Sequence, residues 1–214
     1  MRAVLAFFLM GIATALQASV PTGSIDEFIA SAMPEAGAPG LAYAVVDQGE
    51  IVSDAYGTVR LGSGDPVTPE TPFVIGSISK SFTALAVMQL VEAGQIDLDT
   101  EISQYLEVFA DSPGGAITIR QLLGHTSGYS TVQGNDTLSG PEQGTDGLSR
   151  QVTRIAQWHP AYIPGTRWEY SNANYYVLGA LIEALSGRDY ASYIEEEILD
   201  PAGMDHSFVA DGEA

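Results

Sequence analysis

The sequence predicts an α+β fold in which one antiparallel hairpin near the N-terminus precedes a larger helical region. Two β-rich runs, residues 41–47 and 50–57, flank a tight turn at Gln48-Gly49, which is the pattern of a hairpin. The later periodic segments all have helical spacing, and strands do not alternate with them as in a βαβ protein. Because a lone hairpin is only marginally stable, we expect the sheet to need more strands than this sequence provides.

The first residues have the features of a secretory signal. Arg2 provides a positive start, an apolar stretch extends to Ala15, and small residues follow it. We therefore predict a signal peptide over residues 1–18 and a domain over residues 19–214, in the periplasm or outside the cell. The apolar stretch is shorter than the ~20 residues that a membrane-spanning helix needs, so no span is expected after cleavage. An uncleaved N-terminal anchor is the alternative.

The helical segments are identified by their apolar spacing and by the residues at their ends. Thr118 and Gln121 have the spacing of a capping box, while Gly94 and Gly187 stand where glycine commonly ends a helix. Residues 127–147 are rich in Gly, Ser, Thr and Asp and predict a long surface loop, a kind of segment that is often functional. In chain order, helices are predicted over residues 24–33, from Ser77 to Gly94, over 99–106, from Thr118 onward, and over 148–157, 172–186 and 190–199.

The composition disfavours several classes of protein. The formal net charge is −19 with dispersed acidic residues, which argues against binding to nucleic acid or to anionic lipid. There is no cysteine, so disulfides and cysteine metal ligands are excluded. The three histidines, His125, His159 and His206, lack the spacing of metal ligands. We expect a domain without metal or cofactor that is stabilised by its apolar core.

Lys80 is the single lysine of the sequence, and it stands three positions after Ser77. Residues at this spacing share one face of a helix. Lysine, unlike arginine, can lose its proton in a crowded site, and the start of a helix favours negative charge on a serine oxygen. These features predict a nucleophile at Ser77 that is activated by Lys80. A helix-capping serine followed by a lysine directed to solvent would give the same four-residue pattern.

A second candidate element is Tyr170-Ser171-Asn172, which directly precedes the strongest predicted helix. A tyrosine can transfer protons when a nearby cation lowers its pKa. The amide of Asn172 could hold both a lysine and a substrate carbonyl. An asparagine helix cap beside a packing tyrosine is the alternative interpretation.

Together these segments resemble the serine β-lactamase and penicillin-binding protein superfamily, and most closely its class C β-lactamase, D-alanyl-D-alanine carboxypeptidase and esterase branch. The order S-x-x-K, H-T-S-G and Y-x-N along one chain is far more specific than any of these motifs alone. The resemblance extends over residues 24–210. It is carried by FVIGSISKSFTA at residues 73–84, LLGHTSGY at 122–129, PGTRWEYSNANYYVLG at 164–179 and DPAGMDHSF at 200–208.

The resemblance implies a role for each candidate residue. Ser77 would be the acylated nucleophile, and Lys80 would activate it. Tyr170 would be the general base and later the proton donor to the leaving group. Asn172 would position the substrate and hydrogen-bond Lys80. No cofactor or metal is implied, and the partner would be a small-molecule or peptide substrate with an amide or ester bond.

The resemblance is incomplete near the C-terminus. The family has a third motif there, Lys or His followed by Thr or Ser and then Gly, and no such triplet follows Asn172. In the family this strand provides the second N–H group of the oxyanion hole and pairs with the N-terminal hairpin. We therefore expect a C-terminally truncated domain of the β-lactamase/transpeptidase-like fold, whose last sheet strands are missing.

Two functions remain open at this point. The first is an exported serine hydrolase that forms an acyl-enzyme on Ser77 with a β-lactam, a D-Ala-D-Ala peptide or a small ester. The alternative is a non-catalytic remnant or binding module of the same fold, because the third motif is missing. An acidic structural protein would require the three matched motifs to coincide by chance.

Overall fold

The computed structural model describes residues 22–137 and 146–210. The predicted signal peptide lies outside these residues. The chain divides after Thr71 into two compact units, which are described separately. None of the helices in the described ranges is both long and apolar enough to cross a membrane.

The first unit contains the predicted hairpin. After helix α1 (Thr22–Ala36), strand β1 (Gly40–Asp47) pairs antiparallel with strand β2 (Glu50–Gly57) along its whole length. The turn between the strands has a positive φ at Gln48 (51°) and at Gly49 (88°), which matches the twist of a two-residue hairpin. The hairpin prediction is therefore confirmed, and it is the one sheet found within the described ranges.

A carboxylate of α1 connects this helix to both strands. Asp26 Oδ1 accepts hydrogen bonds from the hydroxyl groups of Tyr43 (3.3 Å) and Tyr56 (2.6 Å). The two tyrosine rings stack at 6.4 Å between centroids. The hydrogen bond to Asp26 raises the pKa of Tyr56, so the phenol remains a donor.

The second unit is helical and is built around one apolar helix. This helix, α6 (Asn172–Ser186), has the bounds that the sequence predicts, and Gly187 ends it in the left-handed conformation at φ 69°. Its residues Val177, Leu178 and Leu181 are fully buried. It packs against α2 (Ser79–Glu92), α3 (Ile119–Leu123), α4 (Thr131–Asp136), α5 (Gly147–Ile155) and α7 (Tyr190–Ile194).

Shorter turns complete this unit. The helix predicted over residues 99–106 consists of 3-10 turns at Ile102–Gln104 and Glu107–Phe109. The segment predicted as a helix over 190–199 begins as α7 and continues as a π-helical turn, Glu195–Leu199. The Thr118–Gln121 capping box is present at the start of α3, as predicted.

The prediction of a surface loop over residues 127–147 is wrong in its first part. Ser130 and Gln133 form a second capping box, which starts α4. Tyr129 is fully buried in the core rather than exposed. The capping residues belong to the same polar types that suggested a loop, and this overlap explains the error. Residues 138–145 lie outside the described part of the chain.

A glycine beside Tyr129 gives a stability prediction. A Cβ atom at Gly114 would overlap the Tyr129 hydroxyl and lie 3.1 Å from the ring carbon that bears it. Since this ring is fully buried and cannot swing out, Gly114→Ala is expected to lower the free energy of unfolding by about 1–3 kcal/mol in urea titration. Gly64→Ala is the matched control, because a Cβ there meets nothing within 4 Å. An equally stable Gly114→Ala protein would contradict the packing described.

Candidate active site

The candidate nucleophile lies at the start of a helix of the second unit. A 3-10 turn, Gly76–Ile78, leads directly into α2 and holds Ser77 on the surface. Gly76 has a φ of 54°, a conformation that glycine adopts without strain. Lys80 follows in the first turn of α2, so its side chain and the Ser77 hydroxyl lie on the same face.

A chain of hydrogen bonds connects the four predicted site residues. Lys80 Nζ donates to Ser77 Oγ at 3.2 Å, and Ser77 Oγ lies 2.7 Å from the Tyr170 hydroxyl. Tyr170 in turn donates to Asn172 Oδ1 at 3.1 Å. Because the one phenolic proton is directed to Asn172, the Ser77 hydroxyl is the donor in its bond with Tyr170. This is the direction in which a proton leaves a serine that becomes a nucleophile.

The electrostatics of the site favour ionisation of Tyr170. Burial raises the pKa of this phenol, but hydrogen bonds from Lys80 and Ser77 and the charge of Lys80 outweigh burial. The pKa of Tyr170 is therefore lowered below its ordinary value. Lys80 Nζ lies 5.1 Å from the centroid of the Tyr170 ring. The site thus contains a hydroxyl group and, beside it, a phenol that loses its proton more easily than usual.

The structure brings all four predicted residues together, although with one different contact. The resemblance implied a hydrogen bond between Asn172 and Lys80, whereas Asn172 Oδ1 accepts from Tyr170. Asn172 is the first residue of α6, and Tyr170 lies two positions before it in an extended segment. The start of α6 therefore fixes the amide beside the phenol.

His125 belongs to this site, and sequence reasoning assigned it no role. Its ring lies 4.7 Å from the Tyr170 ring and 5.3 Å from the Tyr175 ring, measured between centroids. Its Nδ1 atom accepts from the backbone N–H of Ser171 at 3.2 Å. The H-T-S-G motif was the available signal, but the sequence did not place that motif beside Tyr170. Across residues 22–137 and 146–210, no three potential metal-ligating side chains come together.

A hairpin, a helical unit and a Ser-Lys-Tyr site at the start of a helix define the class of serine β-lactamases and penicillin-binding proteins. The chain belongs to the beta-lactamase family, whose sequence model matches residues 25–214. The predicted resemblance is thereby confirmed.

Individual relatives agree with this assignment. The chain is 35% identical over 179 residues to penicillin-binding protein 4 of Amycolatopsis lactamdurans, covering 82% of this chain and 46% of the relative. It is 28% identical over 186 residues to a beta-lactamase of Pseudomonas fluorescens, covering 87% of this chain and 50% of the relative. The solved D-alanine carboxypeptidase AmpC from Burkholderia cenocepacia matches with a TM-score of 0.74 and 30% identity over 88% of this chain and 50% of that one.

These matches support the predicted fold and show how much of each relative's length the chain covers. The β-lactamase/transpeptidase-like fold is confirmed, with a mainly helical structure and a two-stranded antiparallel sheet in the described residues. The chain spans about half the length of the curated relatives it matches. The comparisons indicate a serine-hydrolase type of function for the family site.

Proposed function

We propose that this chain is an exported serine hydrolase that forms an acyl-enzyme on Ser77 with amide or ester substrates. Residues 1–18 would direct its export, and residues 19–214 would form the N-terminal and helical portion of the hydrolase domain. The observation that carries this proposal is the hydrogen-bonded chain from Lys80 through Ser77 and Tyr170 to Asn172.

The acylation step follows from these contacts. In the reactive form Tyr170 is ionised, which its lowered pKa favours. Ser77 Oγ attacks the acyl carbon, and its proton passes to the Tyr170 phenolate across the 2.7 Å hydrogen bond. The Lys80 amine stabilises negative charge on the serine and phenol oxygens. A bond forms between Oγ and the acyl carbon, the bond to the leaving group breaks, and Tyr170 returns the proton to the departing nitrogen or oxygen.

Deacylation uses the same groups in reverse. A water molecule gives a proton to Tyr170 and attacks the ester carbon. The bond to Ser77 Oγ breaks, and Tyr170 gives that proton to the released serine oxygen. The carboxylic acid leaves, and the site returns to its starting state. The acyl group is released as a carboxylic acid in each case, while the leaving group is the ring nitrogen of a β-lactam, the terminal amino acid of a D-Ala-D-Ala peptide or the alcohol of an ester.

Intact-mass spectrometry of the full chain tests this proposal. Incubation with a penicillin, an activated ester or a fluorophosphonate is expected to add one acyl or phosphonyl group to the wild-type chain and none to Ser77→Ala. The acceleration of the penicillin and of the ester, each relative to its own hydrolysis in buffer, indicates the substrate class, and the fluorophosphonate reports only whether Ser77 is nucleophilic. A folded wild-type chain that gains no mass with any of the three reagents would contradict the proposal. It would favour the binding module that lacks turnover.

A further inference from the structure

His125 is bonded to the chain on both sides of Tyr170. Its backbone carbonyl accepts from the N–H of Glu169 at 2.9 Å, and its ring Nδ1 accepts from the N–H of Ser171 at 3.2 Å. A backbone N–H can only donate, so Nδ1 carries no proton and the ring is neutral with its proton on Nε2. The residue between the two anchored N–H groups is Tyr170.

A buried network fixes the imidazole in this orientation. The fully buried amide of Asn174 donates to His125 Nδ1 at 3.0 Å and accepts from Ser127 Oγ at 2.6 Å. Ser127 is also fully buried, and its hydroxyl accepts from the N–H of Tyr129 at 3.2 Å. The network therefore runs from the H-T-S-G segment into α6 and ends at the ring that contacts Tyr170.

The backbone conformation at His125 gives a second reason to look for a role. Its φ of 54° is in the left-handed region, which costs energy for a residue other than glycine, asparagine or aspartate. This conformation directs the carbonyl toward Glu169 and the ring toward Ser171 at the same time. A strained residue that is held at a site by several partners is typical of functional positions.

We infer that His125 is a positioning residue that holds the Tyr170 hydroxyl within hydrogen-bonding distance of Ser77. This inference rests on the proposed function, in which Tyr170 accepts the Ser77 proton. Displacement of a reacting group by ~1 Å can lower a rate by about 100-fold, so a rigid support for Tyr170 has a large effect. The neutral imidazole provides that support through one ring nitrogen and one ring face.

Protonation of His125 would remove this support. A proton on Nδ1 would displace the bonds from Ser171 and Asn174. The groups that face the ring are Lys80 and the phenols of Tyr170 and Tyr175. Burial and the charge of Lys80 lower the pKa of His125, so the ring is neutral near pH 7 and the support is lost only as the pH falls through this lowered pKa.

Two substitutions at residue 125 test the inference in the full chain. His125→Ala removes both the acceptor and the ring, and it is expected to slow fluorophosphonate labelling of Ser77 by about 10- to 100-fold. It should also move the ionisation of Tyr170 to higher pH. This ionisation is measured as the difference in absorbance at 295 nm between chains with and without the Tyr170→Phe substitution. His125→Asn keeps an acceptor near the position of Nδ1 and tolerates the positive φ, so it should restore most of the labelling rate. Circular dichroism checks folding, and His206→Asn, which changes an exposed histidine, should behave like the wild type.

The outcomes separate this inference from the proposed function. A folded His125→Ala chain that labels at the wild-type rate with unchanged Tyr170 ionisation would overturn the inference and leave the proposed function intact. A wild-type chain without any adduct would overturn the proposed function, and the inference would fall with it. If His125→Ala does not fold, His125→Asn provides the test. An asparagine has no ring to protonate, so the labelling rate of this variant should lack the additional loss at acid pH that the wild type shows. Identical pH profiles of the labelling rate in His125→Asn and the wild type would overturn the inference.

Discussion

Replacement of Lys80 by methionine is expected to lower the rate of Ser77 acylation by about 100- to 10,000-fold, the range of a lost acid–base group. Methionine keeps most of the length of the side chain and removes the amine that donates to Ser77 Oγ. It also removes the charge and the hydrogen bond that lower the pKa of Tyr170. One substitution therefore affects the nucleophile and the base together.

Stopped-flow labelling with a fluorophosphonate measures this effect, and absorbance at 295 nm follows Tyr170. The ionisation of Tyr170 in Lys80→Met is expected to move to higher pH, because its pKa loses the contributions of Lys80. Ser81→Ala is the control, since Ser81 is an exposed neighbour of Lys80 on α2. Wild-type labelling by folded Lys80→Met would mean that the amine has no part in the reaction.

Replacement of Tyr170 by phenylalanine is expected to have an effect of similar size, about 100- to 10,000-fold on acylation. The substitution removes only the hydroxyl that lies 2.7 Å from Ser77 Oγ, and the ring remains against His125. A large loss of stability is therefore not expected. The loss of rate would reflect the missing proton acceptor.

The pH dependence of this variant provides a sharper test. A base must be deprotonated to act, so the wild-type rate is expected to fall as the pH drops below the pKa of Tyr170. Because that pKa is lowered, the fall lies at lower pH than for an ordinary tyrosine. Tyr170→Phe should lose this dependence, whereas Tyr176→Phe, on α6, should keep the wild-type profile. An unchanged profile in Tyr170→Phe would assign the base to another group.

Much of the fold could be predicted because its signals are local. The turn at Gln48-Gly49, the Thr118–Gln121 capping box and the glycine that ends α6 each determine structure within a few residues of the chain. Helix α4 was missed although its signal is also local, because Ser130 and Gln133 lie in a segment whose composition favours a loop. Composition and capping gave opposite predictions there, and capping determined the structure.

The candidate site could be predicted only in part, because it depends on contacts between distant residues. Ser77 and Tyr170 are 93 positions apart, and no periodicity or capping rule brings them together. The family resemblance supplied that pairing. The bond between His125 and Asn174 joins residues 49 positions apart, and the resemblance assigned no role to either of them. The bond between His125 and Asn174 follows from the packing of the H-T-S-G segment against α6.

The most direct test of the central claim is to locate the covalent adduct by peptide mass spectrometry after reaction with a fluorophosphonate. The run SISKS contains Ser77, Ser79 and Ser81 within five residues, and these serines serve as internal controls for one another. We expect the phosphonyl group on Ser77, retained in Ser79→Ala and absent from Ser77→Ala. A folded chain that is unlabelled, or that is labelled on Ser79 or Ser81, would contradict the assignment of Ser77 as the nucleophile.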